Sequence, residues 1–398
     1  MATAYTIGIE EEFQLVDGQT GQLSPGIQTV LERGHAIFGE QIKAEMLQPT
    51  VELISDILPD IPTARKEMQV LRARLARLVG EGGLALISAG THPTALWQGQ
   101  LRTPADRYLE LENEYQDVAR AILIFGLHVH IGVENQEMAV NLMNQLRTWL
   151  PHLLALSSNS PFWAGRLTGL KSYRSVVWKP FPRSGIPEVF PSWSDFDSYV
   201  QALIKTGSID NGKRIWWDIR PHPFFNTVEF RIFDMPGTFD DTIAIAALCQ
   251  ALVAKLNWLN KAGLWTPMLS SHFIEENKWH AMRFGLDAEV IDYVQGRRHS
   301  MRESISELLD FVDDVLDDLG SRPEIIYLRA LLEDPVGTGA DRQLAIYQQA
   351  GSMDDVVRFL MQQTMKGIAI EEESVRAIFS RLQPSAKLAL PSIFGSAG

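Results

Sequence analysis

From Tyr5 to Leu15 the chain alternates as a strand does, with Ile7, Ile9, Phe13 and Leu15 on one face and Glu10 and Glu12 on the other. Glu11 breaks the apolar face. Residues 65 to 79 change period: Met68, Leu71, Leu75 and Leu78 recur at helical spacing, Thr63 offers an N-cap, and Gly80, Gly82 and Gly83 end the run. Leu84 to Ser88 predicts a short buried strand. A helix is expected after Thr103-Pro104, running toward Phe125, and a strand over 127–133 that puts His128 and His130 on one face. Thr227 to Phe233 predicts another strand, with Glu229 and Arg231 sharing a face. Between these, residues 157–191 are rich in Pro, Gly, Ser and aromatics and carry Arg166, Lys171, Arg174, Lys179 and Arg183, the composition of a long functional loop. From about residue 239 the pattern is helical, with helices expected over 239–261, 300–319, 322–333, 340–349 and 353–366. Strands followed by helices predict an α+β fold, read as one domain over 1–398 with a mostly helical C-terminal portion.

Composition narrows the function. The chain has 398 residues, 45% of them hydrophobic and 21% charged, enough for a substantial core. A net charge of -13 argues against a nucleic-acid surface, which needs clustered Lys and Arg. The lone Cys249 sits in an apolar helical run and reads as a buried structural thiol. No signal peptide opens the sequence and no run reaches about 18 apolar residues, so a cytoplasmic protein without a membrane partner is expected, and a homo-oligomer is admitted. Gly207 to Lys213 imitates a phosphate-binding loop, but Arg214 stands where Ser or Thr is required and a helix precedes it, so it reads as a surface turn. Asp310, Asp313, Asp314, Asp317 and Asp318 read as a solvated helix face rather than a metal site.

The chemistry lies in polar residues set within β-prone segments: Glu10 and Glu12, Glu45 and Glu52, His128 and His130, Glu229 and Arg231. Any one pair is better read as a solvated sheet face. Together they form a carboxylate-rich set whose mutual repulsion a hard cation would relieve, and carboxylate oxygens suit Mg²⁺ or Mn²⁺. Glu45 and Glu52 are seven apart and would face opposite ways on a regular strand, so Pro49 must mark a break if both converge.

The segments Gly8-Ile9-Glu10-Glu11-Glu12-Phe13, Leu47-Gln48-Pro49-Thr50-Val51-Glu52, Gly90-Thr91-His92-Pro93, His128-Val129-His130-Ile131-Gly132, Asn159-Ser160-Pro161-Phe162-Trp163, Asp218-Ile219-Arg220-Pro221 and Val228-Glu229-Phe230-Arg231 together resemble the type 2 glutamate–cysteine ligases, the YbdK-like carboxylate–amine ligases. That resemblance implies a glutamine synthetase-like fold, a curved, mainly antiparallel sheet forming a funnel with helices outside, and Mg²⁺ ions bridging ATP phosphates. It implies metal ligands at Glu10, Glu12, Glu45, Glu52, His128 and Glu229, a catalytic arginine at Arg231, and a glutamate contact at His130.

Such a site would activate a carboxylate as an acyl phosphate and pass it to an amine, the small-molecule substrates being an amino acid carboxylate and an amine, glutamate and cysteine in the family. Glu12 and Arg231 are the expected catalytic residues, Arg231 offering a planar fork to the transferring group. Arg231 could instead simply pair with Glu229. Arg166, Arg174 and Arg220 are candidates for substrate or phosphate contacts, with surface positions the alternative for each. His92 is expected to order a loop by bonding backbone. Two rival functions stay open: a hydrolase using the same carboxylates to activate water, and a nucleotide-binding protein without turnover.

Overall fold

The computed structural model describes residues 5–368; residues 1–4 and 369–398 of the expected domain lie outside the described residues. The main sheet contains β1 (Ile7–Asp17), β2 (Ile42–Ala44), β3 (Thr50–Ile54), β4 (Leu84–Ile87), β5 (Gly126–Gly132), β6 (Ile219–Pro221) and β7 (Thr227–Asp234). Its order is β6-β7-β5-β1-β3-β2, every pairing is antiparallel, and β4 pairs with the second half of β1. The fold is α+β, as the pattern predicted.

Alternation decides which face does what. Ile7, Ile9, Phe13 and Leu15 of β1, Val51 and Leu53 of β3, Leu127, Val129 and Ile131 of β5, and Val228 and Phe230 of β7 are all buried. Helices Ile61–Glu81, Gln136–Leu146, Leu150–Ser157 and Phe239–Lys261 lie against the sheet's strands. Each fully buried side chain of this kind contributes about 1.5–3 kcal/mol. Helix Phe239–Lys261 is long and apolar enough to cross a membrane, yet 83% of its apolar window is buried inside the protein, which marks a core helix. It starts at a capping box made by Thr238 and Asp241. Cys249 is buried within it.

Glu11 sits on the apolar face at 0% exposure because Arg72, also fully buried, reaches it from helix Ile61–Glu81. Arg72 Nε donates to Glu11 Oε2 at 2.8 Å, and its Nη2 donates to Glu11 and to Thr242. The guanidinium lies 5.1 Å from the Phe13 ring and 5.2 Å from that of Phe239. A charge on the core face is thus satisfied across 61 residues of sequence.

Several boundaries differ from the sequence expectation for local reasons. Asp60, not Thr63, caps Ile61–Glu81: its carboxylate accepts from Thr63 N at 2.8 Å, and Pro62 fills the first turn, where no N–H is needed. The helix expected to run toward Phe125 ends at Tyr115, because Gln116 turns the chain at φ 48°. The helix expected over 300–319 is broken after Phe311 into a 3-10 turn and Leu316–Leu319. An unforeseen hairpin, Glu289–Asp292 with Arg297–Ser300, interrupts the helical portion. The acidic helix is solvated, with Arg322 pairing Asp313 and Asp317. Residues 207–213 form a turn in which Asn211 caps a short 3-10 helix.

Candidate functional site

The register of the sheet brings the polar positions together. Glu10 of β1 faces His128 of β5, Glu12 faces Glu52 of β3, and His130 of β5 faces Glu229 of β7. Directly opposed residues in an antiparallel pair have Cβ atoms about 4.5–5.5 Å apart, so these side chains meet unless they turn away. Glu45 and Glu52 converge because the break at Pro49 is a full reversal: β2 ends at Ala44, β3 begins at Thr50, and the two pair antiparallel.

Ligand atoms of Glu10, Glu52 and His128 lie within 4.8 Å of one another. Glu12 and Glu45 join them in lining a cavity of about 240 Å³, together with Arg174 and Arg231. Glu10 also lines a second, larger cavity of about 850 Å³ with His130, His222, Phe224 and Phe225. Glu10 is therefore shared by two spaces of different size and chemistry, while Glu12, Glu45, Glu52 and His128 line the smaller one.

The electrostatics show what the cluster lacks. Burial, then repulsion from Glu45, pushes the Glu12 carboxyl up to about 7. Burial and the neighbouring Glu45, Glu10 and Glu12 drive Glu52 well above the usual carboxylate range, and burial raises Glu45 despite Arg107. Burial pushes Glu10 upward too, but the hydrogen bonds and charges of His128 and His130 outweigh it and hold Glu10 well below its ordinary value. His128 Nδ1 lies 3.0 Å from Glu10 Oε2, and His130 Nε2 lies 3.3 Å from Oε1. Burial, then Arg231, lowers His128 to about 4, leaving its imidazole neutral, as metal ligation requires. Burial opposes a charge on His130, but Glu229 and Glu10 raise it above its ordinary value. Carboxylates crowded beside a neutral imidazole fit a hard divalent cation.

Glu229 is placed differently from the other expected ligands. Both its oxygens are taken by Arg220, Nε to Oε2 at 2.7 Å and Nη2 to Oε1 at 3.1 Å, and Arg231 Nη1 donates to Oε1 as well. Burial raises Glu229, but Arg220 and Arg231 hold it well below the carboxylate range. Arg231 N donates to Asp218 O, where β7 bulges between Phe230 and Phe233. Arg231 Nε is buried and has no partner, while the side chain lines the smaller cavity.

The other arginines separate. Arg174 lines the smaller cavity, its Nε buried without a partner. Its backbone N donates to Ser160 Oγ, and Ser160 and Ser172 donate to buried Asp234. A Cβ on Gly126 would stand 2.9 Å from Arg174 Cζ, so the absence of a side chain there makes room for the guanidinium. The same Gly126 N donates to Glu12. Arg220 lies buried behind Glu229, donating also to Lys213 O and Ile215 O. Arg166 is exposed against the Tyr173 ring and lines neither cavity. His92 is a structural residue, Nε2 at 2.9 Å from Gly21 O and Nδ1 accepting from Thr94 N and Ala95 N. Sequence reasoning missed Gly126, Asp234 and the aromatic wall of Trp178, Phe181 and Trp216. The segment 157–191, expected as a long loop, contains a short hairpin, Phe162–Trp163 with Arg166–Leu167, and a helix, Arg174–Trp178, that supplies Trp178 to the wall; elements this short carry no period to read.

A profile of the family described as "Glutamate-cysteine ligase family 2" matches residues 6–359. A protein of Solibacter usitatus described as "Putative glutamate--cysteine ligase 2" is 48% identical over 364 residues, covering 91% of this chain and 94% of that one. One of Chloroflexus aurantiacus with the same description is 46% identical over 365 residues, covering 92% and 93%. Among solved structures, a glutamate–cysteine ligase of Francisella tularensis in complex with AMP superposes with a TM-score of 0.67 at 14% identity, over 95% of this chain and 92% of that one. A bifunctional glutathione synthetase of Pasteurella multocida gives 0.66 at 16% identity, over 95% and 53%.

Proposed function

Because the chain belongs to the glutamate–cysteine ligase family 2, and is therefore a ligase, we propose that it joins a carboxylate to an amine at the expense of ATP, with glutamate as the acid. The observation that carries this reading is the convergence of Glu10, Glu52 and His128, flanked by Glu12, Glu45 and Arg231, at the smaller of two cavities that share Glu10. The nucleotide belongs in the larger cavity: about 850 Å³ is in the range of roughly 300–1,000 Å³ typical of ligand sites, and its wall is largely apolar. His222 and Phe225 stack there at 4.4 Å, a rigid edge for a flat base. The smaller cavity suits amino-acid-sized substrates.

Mg²⁺ bound by Glu10, Glu12, Glu45, Glu52 and His128 would neutralise phosphate charge. The protein's own part is positioning. Arg231, held by Glu229 and with its Nε free, offers donors to the group in transfer, where charge develops. Arg174 also lines the smaller cavity and would meet a carboxylate of the acid. The substrate carboxylate oxygen attacks the γ-phosphorus, the bond to ADP breaks, and the acyl phosphate so formed is open to the amine.

The test is ADP release with ATP and Mg²⁺, which should require both acid and amine, beside calorimetry of ATP binding. Binding should be lost in EDTA, since no phosphate-binding loop supports the nucleotide. Tight ATP binding without metal would overturn the reading.

A further inference from the structure

Arg174 is held unlike the other two buried arginines of this region. Arg220 and Arg231 both donate to Glu229. Among the described residues no carboxylate pairs with Arg174. Its Nε is buried without a partner, and Nη1 and Nη2 reach only Arg231 O and Ile232 O, at 3.5 Å, long for a hydrogen bond. A guanidinium left this way has donors to spare for a substrate carboxylate. Something other than an ion pair must keep it in place.

The hold is on its backbone. Arg174 opens a helix of five residues, Arg174–Trp178, too short to be stable on its own. Arg174 N donates to Ser160 Oγ at 3.0 Å, and that hydroxyl donates in turn to Asp234 Oδ2 at 2.6 Å. Asn159 N donates to the same oxygen at 2.8 Å, and Ser172 Oγ donates to Oδ1 at 2.7 Å. One fully buried carboxylate thus ties residues 159 and 160 to residue 172, on either side of the hairpin Phe162–Trp163 with Arg166–Leu167. Gly90 makes room for it, since a Cβ there would stand 2.8 Å from Asp234 Cγ. With three uncharged donors on its oxygens, Asp234 does not consume the guanidinium as Glu229 consumes that of Arg220. Across the sheet Asp234 pairs with Gly126, whose missing side chain admits the guanidinium. A single cross-strand pair therefore sets both ends of Arg174.

We propose that Asp234 is a positioning residue for the acid substrate: acting through Ser160 and Ser172, it presents an unpaired Arg174 to the substrate carboxylate that does not react. The proposal rests on the ligase reading above. Asp234 works here through hydrogen bonds rather than charge. Asn can accept from Ser160 Oγ and Asn159 N with its oxygen and donate to Ser172 Oγ with its nitrogen, so it should serve where Ala does not. The non-reacting carboxylate is held equally in the ground and transition states, so loss of its contact appears in KM and not in kcat.

The experiment uses the full chain with ATP, Mg²⁺, glutamate and cysteine, and reads the glutamate KM, kcat, ATP affinity and Tm, beside calorimetry of glutamate binding with Mg²⁺ and ADP present. Asp234→Ala should raise the glutamate KM and Kd at least about tenfold, with kcat within about twofold and ATP affinity unchanged. Asp234→Asn should stay within about threefold of the wild type. Ser160→Ala, which cuts the link to Arg174 N, should raise the glutamate KM about fivefold. A merely structural Asp234 would lower Tm in the Ala variant and leave the KM of the folded protein alone. The proposal is overturned if Asp234→Ala folds and keeps its glutamate KM, if it loses kcat instead, or if Asp234→Asn is as impaired as Asp234→Ala. Should Asp234→Ala fail to fold, Ser160→Ala decides, an unchanged glutamate KM rejecting the proposal. Failure of the ligase reading looks different: the wild type itself shows no metal-dependent ATP binding and no ADP release.

Discussion

Replacing Glu12 by Gln should make the metal-free protein more stable while destroying its activity. Glu12 is pushed from 4.5 to about 7 by burial and by Glu45, so the folded state disfavours its charged form. The sign follows from linkage: the penalty is absent below the unfolded value near 4.5, grows as pH rises, and is complete above about 7. Each pH unit between those two values costs about 1.36 kcal/mol, so the penalty reaches about 3 kcal/mol at pH 8. Gln removes the charge and keeps an oxygen to accept from Gly126 N. Spread over the unfolding entropy of a chain this size, the gain is about 4 °C in Tm, shrinking to about 1 °C at pH 5. Melting in EDTA at both pH values measures it. Saturating Mg²⁺ should then stabilise the wild type more than the variant, because the wild type offers one more anionic ligand. A lower Tm for the variant at pH 8, or an equal gain at pH 5, would refute the account of Glu12 as a repelled carboxylate awaiting a cation.

Arg231→Lys keeps a charge beside Glu229 but loses the planar fork, so kcat should fall about 10²-fold with ATP binding little changed; an unaltered kcat would reduce Arg231 to an ion-pair partner. Gly126→Ala should displace the Arg174 guanidinium and raise the KM for glutamate about tenfold at nearly unchanged Tm, which steady-state kinetics and melting would check together. Arg72→Met strands Glu11 in the core and should cost about 3–5 kcal/mol in urea titration, whereas Glu11→Leu combined with Arg72→Met should recover most of it.

What could be read from sequence was what repeats locally. Glu10, Glu12, His128 and Glu229 stood out because each interrupts or shares an alternating strand, and alternation alone fixes the face. Partners supplied from far along the chain were not legible. Arg72 lies among apolar helix positions with nothing nearby to announce Glu11, and Arg220, expected as a substrate or phosphate contact or a surface residue, pairs with Glu229 in the interior, while Arg231 lines a cavity. Gly126 is informative through an absent side chain, which matters only once Arg174 is beside it. Thr63 lost the cap to Asp60 because a cap is decided by backbone geometry at the first turn, and both residues are capable of the role.

The bulge in β7 has a bearing on how the gene can change. Phe230 pairs with Val129 and Phe233 with Leu127, so three steps on one strand span two on the other. It acts as a phase shift in the reading of faces. Upstream, Glu229 and Arg231 serve the acidic cluster; downstream, Asp234 rather than its neighbour Phe233 turns to Ser160, Ser172 and the loop bearing Arg174. Without the bulge, strict alternation would turn Asp234 away from the face that Glu229 and Arg231 share; by absorbing one residue it keeps Asp234, opposite Gly126, on the face of Glu229, opposite His130. A residue lost at the bulge would leave both halves in frame, whereas one lost or gained between Thr227 and Phe230 would carry Glu229 to the opposite face from Asp234.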